Sequence, residues 1–206
     1  MAQMSKGVLY VAYGPAARKE ARLSAESLSR VHPSWPVCVI TEGDDIGWAP
    51  TIQWPDLGTP GRWAKVNLDV LSPWDQTLFL DADTRVYDKL GVGFAYLDRG
   101  WDMAIVPSIP QGGDLLGHCA HAERAQTLQE LRIDPLQLNT GVIWFRKSYR
   151  VKLLFRAWRD EWMRWKDKDQ GALLRALERR TARIALLGRP YNGGVVVAHR
   201  FGMARG

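Results

Sequence analysis

Residues 77–83 read Thr-Leu-Phe-Leu-Asp-Ala-Asp. Leu78, Phe79 and Leu80 are an unbroken apolar run, the pattern of a buried strand. The run ends in two carboxylates separated by one alanine. That places Asp81 and Asp83 at the carboxyl end of a strand, the edge where open α/β sheets bind ligands. On an extended chain alternate side chains share a side, so the two can share one hard cation. Carboxylates this close repel one another unless a cation or protons intervene. The plain alternative is a solvated acidic turn, because Asp-x-Asp on its own is common.

Toward the N-terminus, residues 8–11 (VLYV) form a short strand-like run ended by Gly14-Pro15. Residues 16–30 carry Ala21, Ala25 and Leu28 at helical spacing, and His32-Pro33 and Trp35-Pro36 stop the helix. Residues 37–41 (VCVIT) are a second buried strand, followed by the turn-like Glu42-Gly43-Asp44-Asp45. The unit is β-α-β, the opening of an α/β sheet. Residues 48–61 are rich in Pro and Gly and predict an irregular loop. Residues 62–71 predict a helix.

Beyond Asp83, residues 103–107 predict a short strand and residues 111–121 a mobile Gly-rich loop. Residues 139–145 predict another strand. Residues 148–168 predict a long helix with Val151, Leu154, Phe155, Trp158, Trp162 and Trp165 on one face. Residues 170–180 predict a further helix, and 195–198 a last strand leading into His199. The expected class is α/β: a mixed, mostly parallel sheet flanked by helices.

A chain of 206 residues fits one domain, expected over 1–206, and 46% hydrophobic content excludes disorder. Two cysteines exclude a disulfide framework and a four-thiolate zinc site. No apolar run approaches the roughly 20 residues of a membrane span, and residues 1–6 precede no signal-like apolar core. A soluble, cytoplasmic protein is expected. The net charge of +6 is local: residues 146–168 hold nine Lys/Arg against three Asp/Glu, leaving 19 of each elsewhere. Nucleic acid, a membrane surface or a phosphorylated small molecule would each suit such a patch. No nucleic-acid-binding motif accompanies it, so nucleic acid is not expected as a partner. The helix that carries it, from its start at Ser148 to Lys168, reads as a packing helix with solvated flanks. Two further uses stay open: a peripheral membrane contact that reaches a lipid-linked acceptor, and the binding of an acidic acceptor or protein.

Five motifs occur in order: Lys65, Asp81-Ala82-Asp83-Thr84, Asn139-Thr140-Gly141-Val142, Asp169-Gln170-Gly171 and His199-x-x-Gly202. The ordered set resembles the nucleotide-sugar glycosyltransferases of the GT-A fold. It is most similar to the retaining glycogenin and galactosyltransferase-like family, family 8, over nearly the whole chain. The resemblance implies a GT-A fold and transfer of a hexose from a nucleotide-diphosphate sugar, a UDP-sugar, to an acceptor hydroxyl with retention. The acceptor is unknown: glycan, protein or lipid-linked. Asp81, Asp83 and His199 would bind Mn2+ or Mg2+. Ala82, Lys65 and Gly202 belong to the donor-binding segments, and Asn139, Thr140 and Gly141 to the sugar pocket. Ala12, Tyr13 and Gly14 would hold the base. Asp169 and Gln170 would lie near the reacting carbon.

The chain departs from the family pattern in three places. It lacks the Lys-Pro-Trp that follows the distal His; Arg205, Arg200 or another basic residue would take that role, or the diphosphate would be held more loosely. The interval 83–139 is long and reads as an acceptor or lid region containing Gly112-Gly113. Its His118, Cys119 and His121 invite a zinc reading without an evident fourth ligand. The first strand also lacks the usual polar pair after its apolar run. Two alternatives remain. Haloacid-dehalogenase phosphatases also use Asp-x-Asp, but need Thr or Val where Arg85 stands. A degenerate transferase fold would bind a nucleotide sugar without turnover.

Overall fold

The computed structural model describes residues 4–43, 46–59, 61–108, 115–131 and 136–200. The chain opens with strand β1 (Lys6–Val11), helix α1 (Gly14–Val31) and strand β2 (Val37–Thr41). β1 and β2 pair in parallel, Leu9 opposite Cys38. Gly14 starts α1 instead of closing the strand. Its φ of +79° makes the bend, and Pro15 sits in the first helical turn, where a missing N–H costs nothing.

Strand β3 (Thr51–Gln53) adds in parallel to the outer side of β2. The stretch 48–61 is therefore not wholly irregular, but the strand is too short to show a periodicity. The helix expected over 62–71 is two single turns, α2 (Arg62–Lys65) and α3 (Leu68–Leu71). Asn67 separates them: its Nδ2 donates to the Trp63 carbonyl at 2.8 Å, a local bond that competes with helix continuation.

Strand β4 (Gln76–Asp81) pairs with the other side of β1, again in parallel, with Val11 opposite Asp81. The chain thus winds from β1 outward to β2 on one side and to β4 on the other. The crevice at the carboxyl ends of β1 and β4 is a topological switch point. There follow β5 (Thr84–Val86), α4 (Gly91–Asp98), β6 (Met103–Pro107), α5 (His121–Glu130) and β7 (Leu138–Arg146). Much of the interval 83–139 is therefore framework, with α4 and β6 in the core. Gly112 and Gly113 lie outside the described residues. The chain continues through α6 (Tyr149–Trp165), α7 (Asp169–Arg179), β8 (Ile184–Leu186) and β9 (Val197–His199). The main sheet has seven strands ordered β3-β2-β1-β4-β7-β6-β8, in which β7 is the one reversed strand. β5 and β9 form a separate antiparallel ribbon.

Alternate residues of the central strands feed two cores, which explains their continuous apolar runs. Val8, Tyr10, Leu78, Leu80, Val142 and Trp144 face α1 and α4. Leu9, Phe79, Ile143 and Phe145 face α6 and α7. α4 approaches the sheet closely at Gly93, where a Cβ would fall 2.2 Å from the Trp144 ring.

The basic helix α6 covers the sheet. Ser148 caps it by accepting from the Val151 N–H at 3.2 Å. Val151, Leu154, Phe155, Trp158 and Trp162 are buried, while Trp165 is only half-buried. Many of the local cations meet carboxylates of the fold: Arg146 and Arg150 meet Asp102, Arg159 meets Asp69, and Arg164 meets Glu130 and Glu161. Lys168 pairs with Asp167. Among the described residues no helix is long and apolar enough to cross a membrane.

Gly93→Ala should destabilise the protein by about 1–3 kcal/mol, since the fully buried Trp144 ring has no room to retreat. Urea unfolding with an unchanged midpoint would show that α4 does not depend on this contact.

Candidate active site

Asp81 ends β4, and Asp83 lies in the turn that leads into β5. Their convergence comes from this turn, not from alternation along an extended strand as the sequence predicts. The β5–β9 ribbon pairs Thr84 with His199 and so carries the imidazole to the two carboxylates. The Arg200 N–H prolongs the ladder by donating to the Asp83 carbonyl at 3.0 Å. One ligand atom from each of Asp81, Asp83 and His199 lies within 4.8 Å of the others. His199 Nε2 is 3.1 Å from Asp83 Oδ1 and 3.6 Å from Asp81 Oδ2.

The other ring nitrogen sets the tautomer. His199 Nδ1 is 2.7 Å from Asn192 Oδ1, an atom that can only accept, so Nδ1 carries the proton. In the neutral ring Nε2 then offers its lone pair on the side of the two carboxylates. Such a set of two carboxylates and one imidazole could hold a cation, and oxygen with one imidazole is a donor chemistry for a hard cation, not for a thiophilic metal. Gly141 borders the same space. A Cβ there would fall 2.2 Å from His199 Cε1 and 2.8 Å from Asp81 Oδ2. The β6–β7 register shifts between Ile105 and Val106, so the Asn139–Ile143 stretch bulges where it reaches the cluster. The Gly141 N–H closes a local turn onto Asn139 Oδ1 at 2.9 Å.

Lys65 joins this group to α7. Its ammonium is 2.9 Å from Asp81 Oδ1 and 3.2 Å from Asp169 Oδ2, and it lies over the Phe79 ring. Burial alone would push its pKa down, but Asp169 and Asp81 outweigh that and hold it above the ordinary lysine value. Burial would likewise raise Asp169, yet Lys65 and the Thr140 hydroxyl, which donates to Oδ2, lower it to about 2. Asp81, Asp83 and Asp169 outnumber Lys65 here, with the Arg62 charge also acting on Asp169. Gln170, next on α7, accepts from Gln137 Nε2 at 3.2 Å.

On the β1 side the Tyr13 hydroxyl donates to the Trp54 carbonyl at 2.7 Å. The Gly14 N–H donates to Glu42 Oε1 at 2.9 Å, and Glu42 in turn pairs with Arg18. The N-terminus of α1 is therefore occupied by a carboxylate of the chain itself and is not presented as a phosphate cradle. Ala12 is fully buried at the end of β1.

The solved galactosyltransferase LgtC, in complex with donor and acceptor sugar analogues, superposes with a TM-score of 0.63 at 15% identity, covering 91% of this chain and 75% of that one. Mouse xyloside xylosyltransferase 1 gives 0.59 at 13%, covering 91% and 87%. GlyE of Streptococcus pneumoniae TIGR4 gives 0.62 at 15%, covering 92% of this chain but only 46% of its own. The fold is GT-A. No protein-family model and no curated protein sequence matches the chain.

On this GT-A framework, the expected residues Lys65, Asp81, Ala82, Asp83, Asn139, Thr140, Gly141, Asp169, Gln170 and His199 cluster at or beside the carboxyl end of β4. Ala12, Tyr13 and Gly14 lie one strand away. Gly202 and Arg205 lie outside the described residues. Among the described residues, the one His/Cys/Asp/Glu group close enough to hold a metal is Asp81, Asp83 and His199, so the His118, Cys119 and His121 zinc set does not form. Cys119 is instead a half-buried thiol, pushed up to about 12 by desolvation and then by Glu123 and Asp167.

Two supporting residues escape the sequence reading. Asn192 orients His199, although the Asn192-Gly193-Gly194 stretch signals only a turn. Trp158 reads as core, yet its Nε1 donates to the Asp169 carbonyl at 2.8 Å and so anchors the start of α7. Asn192→Ala should leave the fold intact and weaken Mn2+ binding about 10- to 100-fold. Isothermal titration calorimetry checks this, and wild-type affinity would show that Asn192 does not orient the ring.

Proposed function

We propose that this chain is a metal-dependent glycosyltransferase that moves a hexose from a nucleotide-diphosphate sugar to an acceptor hydroxyl. The observation that carries the proposal is the meeting of Asp81, Asp83 and His199 at the switch point of a GT-A sheet. LgtC, a galactosyltransferase of the same fold, was solved with donor and acceptor sugar analogues. Residues 1–206 act as one catalytic domain in this proposal. Two unpaired cysteines, Cys38 and Cys119, fit a cytoplasmic site of action.

Asp81, Asp83 and His199 would hold Mn2+ or Mg2+, whose positive charge offsets the charge that builds on a departing diphosphate. The chain's own residues supply the rest. Asp169 is buried and ionised, so a fixed negative charge stands ready for the positive character that develops at the anomeric carbon. Lys65 neutralises part of that charge and keeps Asp169 at a fixed distance from Asp81. Thr140 orients the Asp169 carboxylate, and Gly141 keeps the wall of the sugar pocket thin. Tyr13, with Gly14 beside it, would take the base, and the fully buried Ala12 would support that segment from within. The family resemblance supports UDP as the nucleotide and retention as the outcome, with the acceptor hydroxyl attacking on the face from which the diphosphate leaves and passing its proton to the leaving phosphate oxygen. A glycan, a protein and a lipid-linked sugar are the acceptor classes to test.

The test is a donor panel: UDP-glucose, UDP-galactose, UDP-N-acetylglucosamine and GDP-sugars with Mn2+, read as nucleotide release. Release from at least one donor is expected, with Asp83→Ala lowering it at least about a hundredfold. Ordinary UDP-sugar binding without release from any donor would replace the enzyme with a binding module. Asp169→Asn should lower kcat by about two orders of magnitude with little change in donor Kd. An unchanged kcat would remove Asp169 from the chemistry.

A further inference from the structure

Gln137 precedes β7 by one residue, and nearly all of it is buried. Three separate segments meet on its carboxamide. Its Oε1 accepts from the Leu116 N–H at 3.0 Å. Its Nε2 lies 3.2 Å from Gln170 Oε1, 3.3 Å from His118 Nδ1 and 3.4 Å from Ser108 Oγ.

The orientation of this amide follows from the donors around it. Leu116 is fully buried, so its N–H has no water to turn to and requires an acceptor. Gln137 must therefore aim its oxygen at Leu116 and its NH2 at the other side. That choice propagates. An NH2 group can only donate, so Gln170 must turn its oxygen inward to meet it. The NH2 has two protons, and its two nearer acceptors are Gln170 Oε1 at 3.2 Å and His118 Nδ1 at 3.3 Å, ahead of Ser108 Oγ at 3.4 Å. His118 Nδ1 then accepts, which leaves the proton of the neutral ring on Nε2. Gln170 then has its own NH2, and His118 its Nε2–H, left for other partners. Leu116 also holds a φ of +57°. Among the described residues it shares positive φ outside glycine only with Lys166, which ends α6. A bulky residue held there without a helix to cap marks a backbone kept in place by its surroundings.

We propose that Gln137 is a positioning residue that fixes Gln170 and His118 as a pair of N–H donors for the hydroxyl oxygens of a sugar acceptor. The proposal rests on the glycosyl transfer inferred above and deepens it on the acceptor side. His118 is exposed and Gln170 half-buried, so the pair is accessible from outside. In this arrangement the Gln170 oxygen is committed inward, and Asp169 alone faces the developing positive charge.

Gln137→Glu tests the chain of orientations. The new carboxylate still accepts from Leu116 but has no proton for Gln170 or His118. His118 should then donate from Nδ1, and its tautomer should switch. Long-range 1H–15N spectra of the His-labelled protein near pH 8 report this directly, with His118 assigned by the loss of its signals in His118→Ala. The wild type should show the Nε2–H form and Gln137→Glu the Nδ1–H form. In the same variant the acceptor KM should rise about tenfold while donor Kd stays unchanged. Gln137→Met, uncharged and similar in size, should raise the acceptor KM to a similar degree, and it covers a Glu variant that fails to fold. A wild-type His118 protonated on Nδ1, or an unchanged acceptor KM in the folded variants, would overturn the proposal. A wild type that shows the Nε2–H form yet releases no nucleotide from any donor would refute glycosyl transfer and the acceptor role, while upholding the orientation of Gln137.

Discussion

One ammonium group holds the carboxyl edge of this sheet together. Lys65 stands between Asp81 at the end of β4 and Asp169 at the start of α7, with the Phe79 ring beneath it. A buried ion pair of this kind recovers its desolvation cost only when its geometry is well satisfied. Here the surroundings are committed to that task. Thr140 fixes the Asp169 carboxylate, and Trp158 fixes its backbone. Asp81 and Asp169 come from elements far apart in sequence, and without a cation between them they would repel. Helix α7 is thereby locked in position relative to the Asp-x-Asp turn.

The tryptophan-rich basic helix takes part in this lock. Part of its charge is answered within the fold: Arg150 meets Asp102, Arg159 meets Asp69 and Arg164 meets Glu130. Its buried side carries one carboxylate as well, Glu161, paired with Arg175 of α7 at 2.9 Å. Arg175 reaches on to Glu123 and Thr127 of α5. α5, α6 and α7 are thus joined by a buried polar network, and Trp158 ties that assembly to Asp169. Two cations of the local excess, Arg159 and Arg164, thus fasten α6 to α3 and α5.

Strands β1, β2, β4, β6 and β7 were legible because they are covered on both faces, which leaves an apolar run with no alternation. α6 was legible because one face is packed and the other is wet. The three-residue strands β3 and β8 sit at sheet edges and leave no periodic trace. α5 was invisible for a different reason: its buried residues are Glu123 and Thr127, so polar contacts fasten it and no apolar stripe exists to be read. Within the site, Asp81 and Asp83 announce themselves locally. His199 does not, because a pairing between residues more than a hundred positions apart puts it there. It could be found only through the ordered motifs of a known family. Asn192 and Gln137 carry no local signature, because their roles lie entirely in which way an amide is turned.

The ribbon of β5 and β9 has a thermodynamic side. β9 is three residues long and pairs with no strand of the main sheet. It nonetheless delivers the third donor of the cluster. Any cation held by Asp81, Asp83 and His199 must therefore favour the docked ribbon over the open one by as much as docking favours the cation, since linkage is reciprocal. For such a cation, occupancy of the cluster and order in this strand would be linked. Hydrogen exchange at β9 amides would then read metal affinity from the backbone.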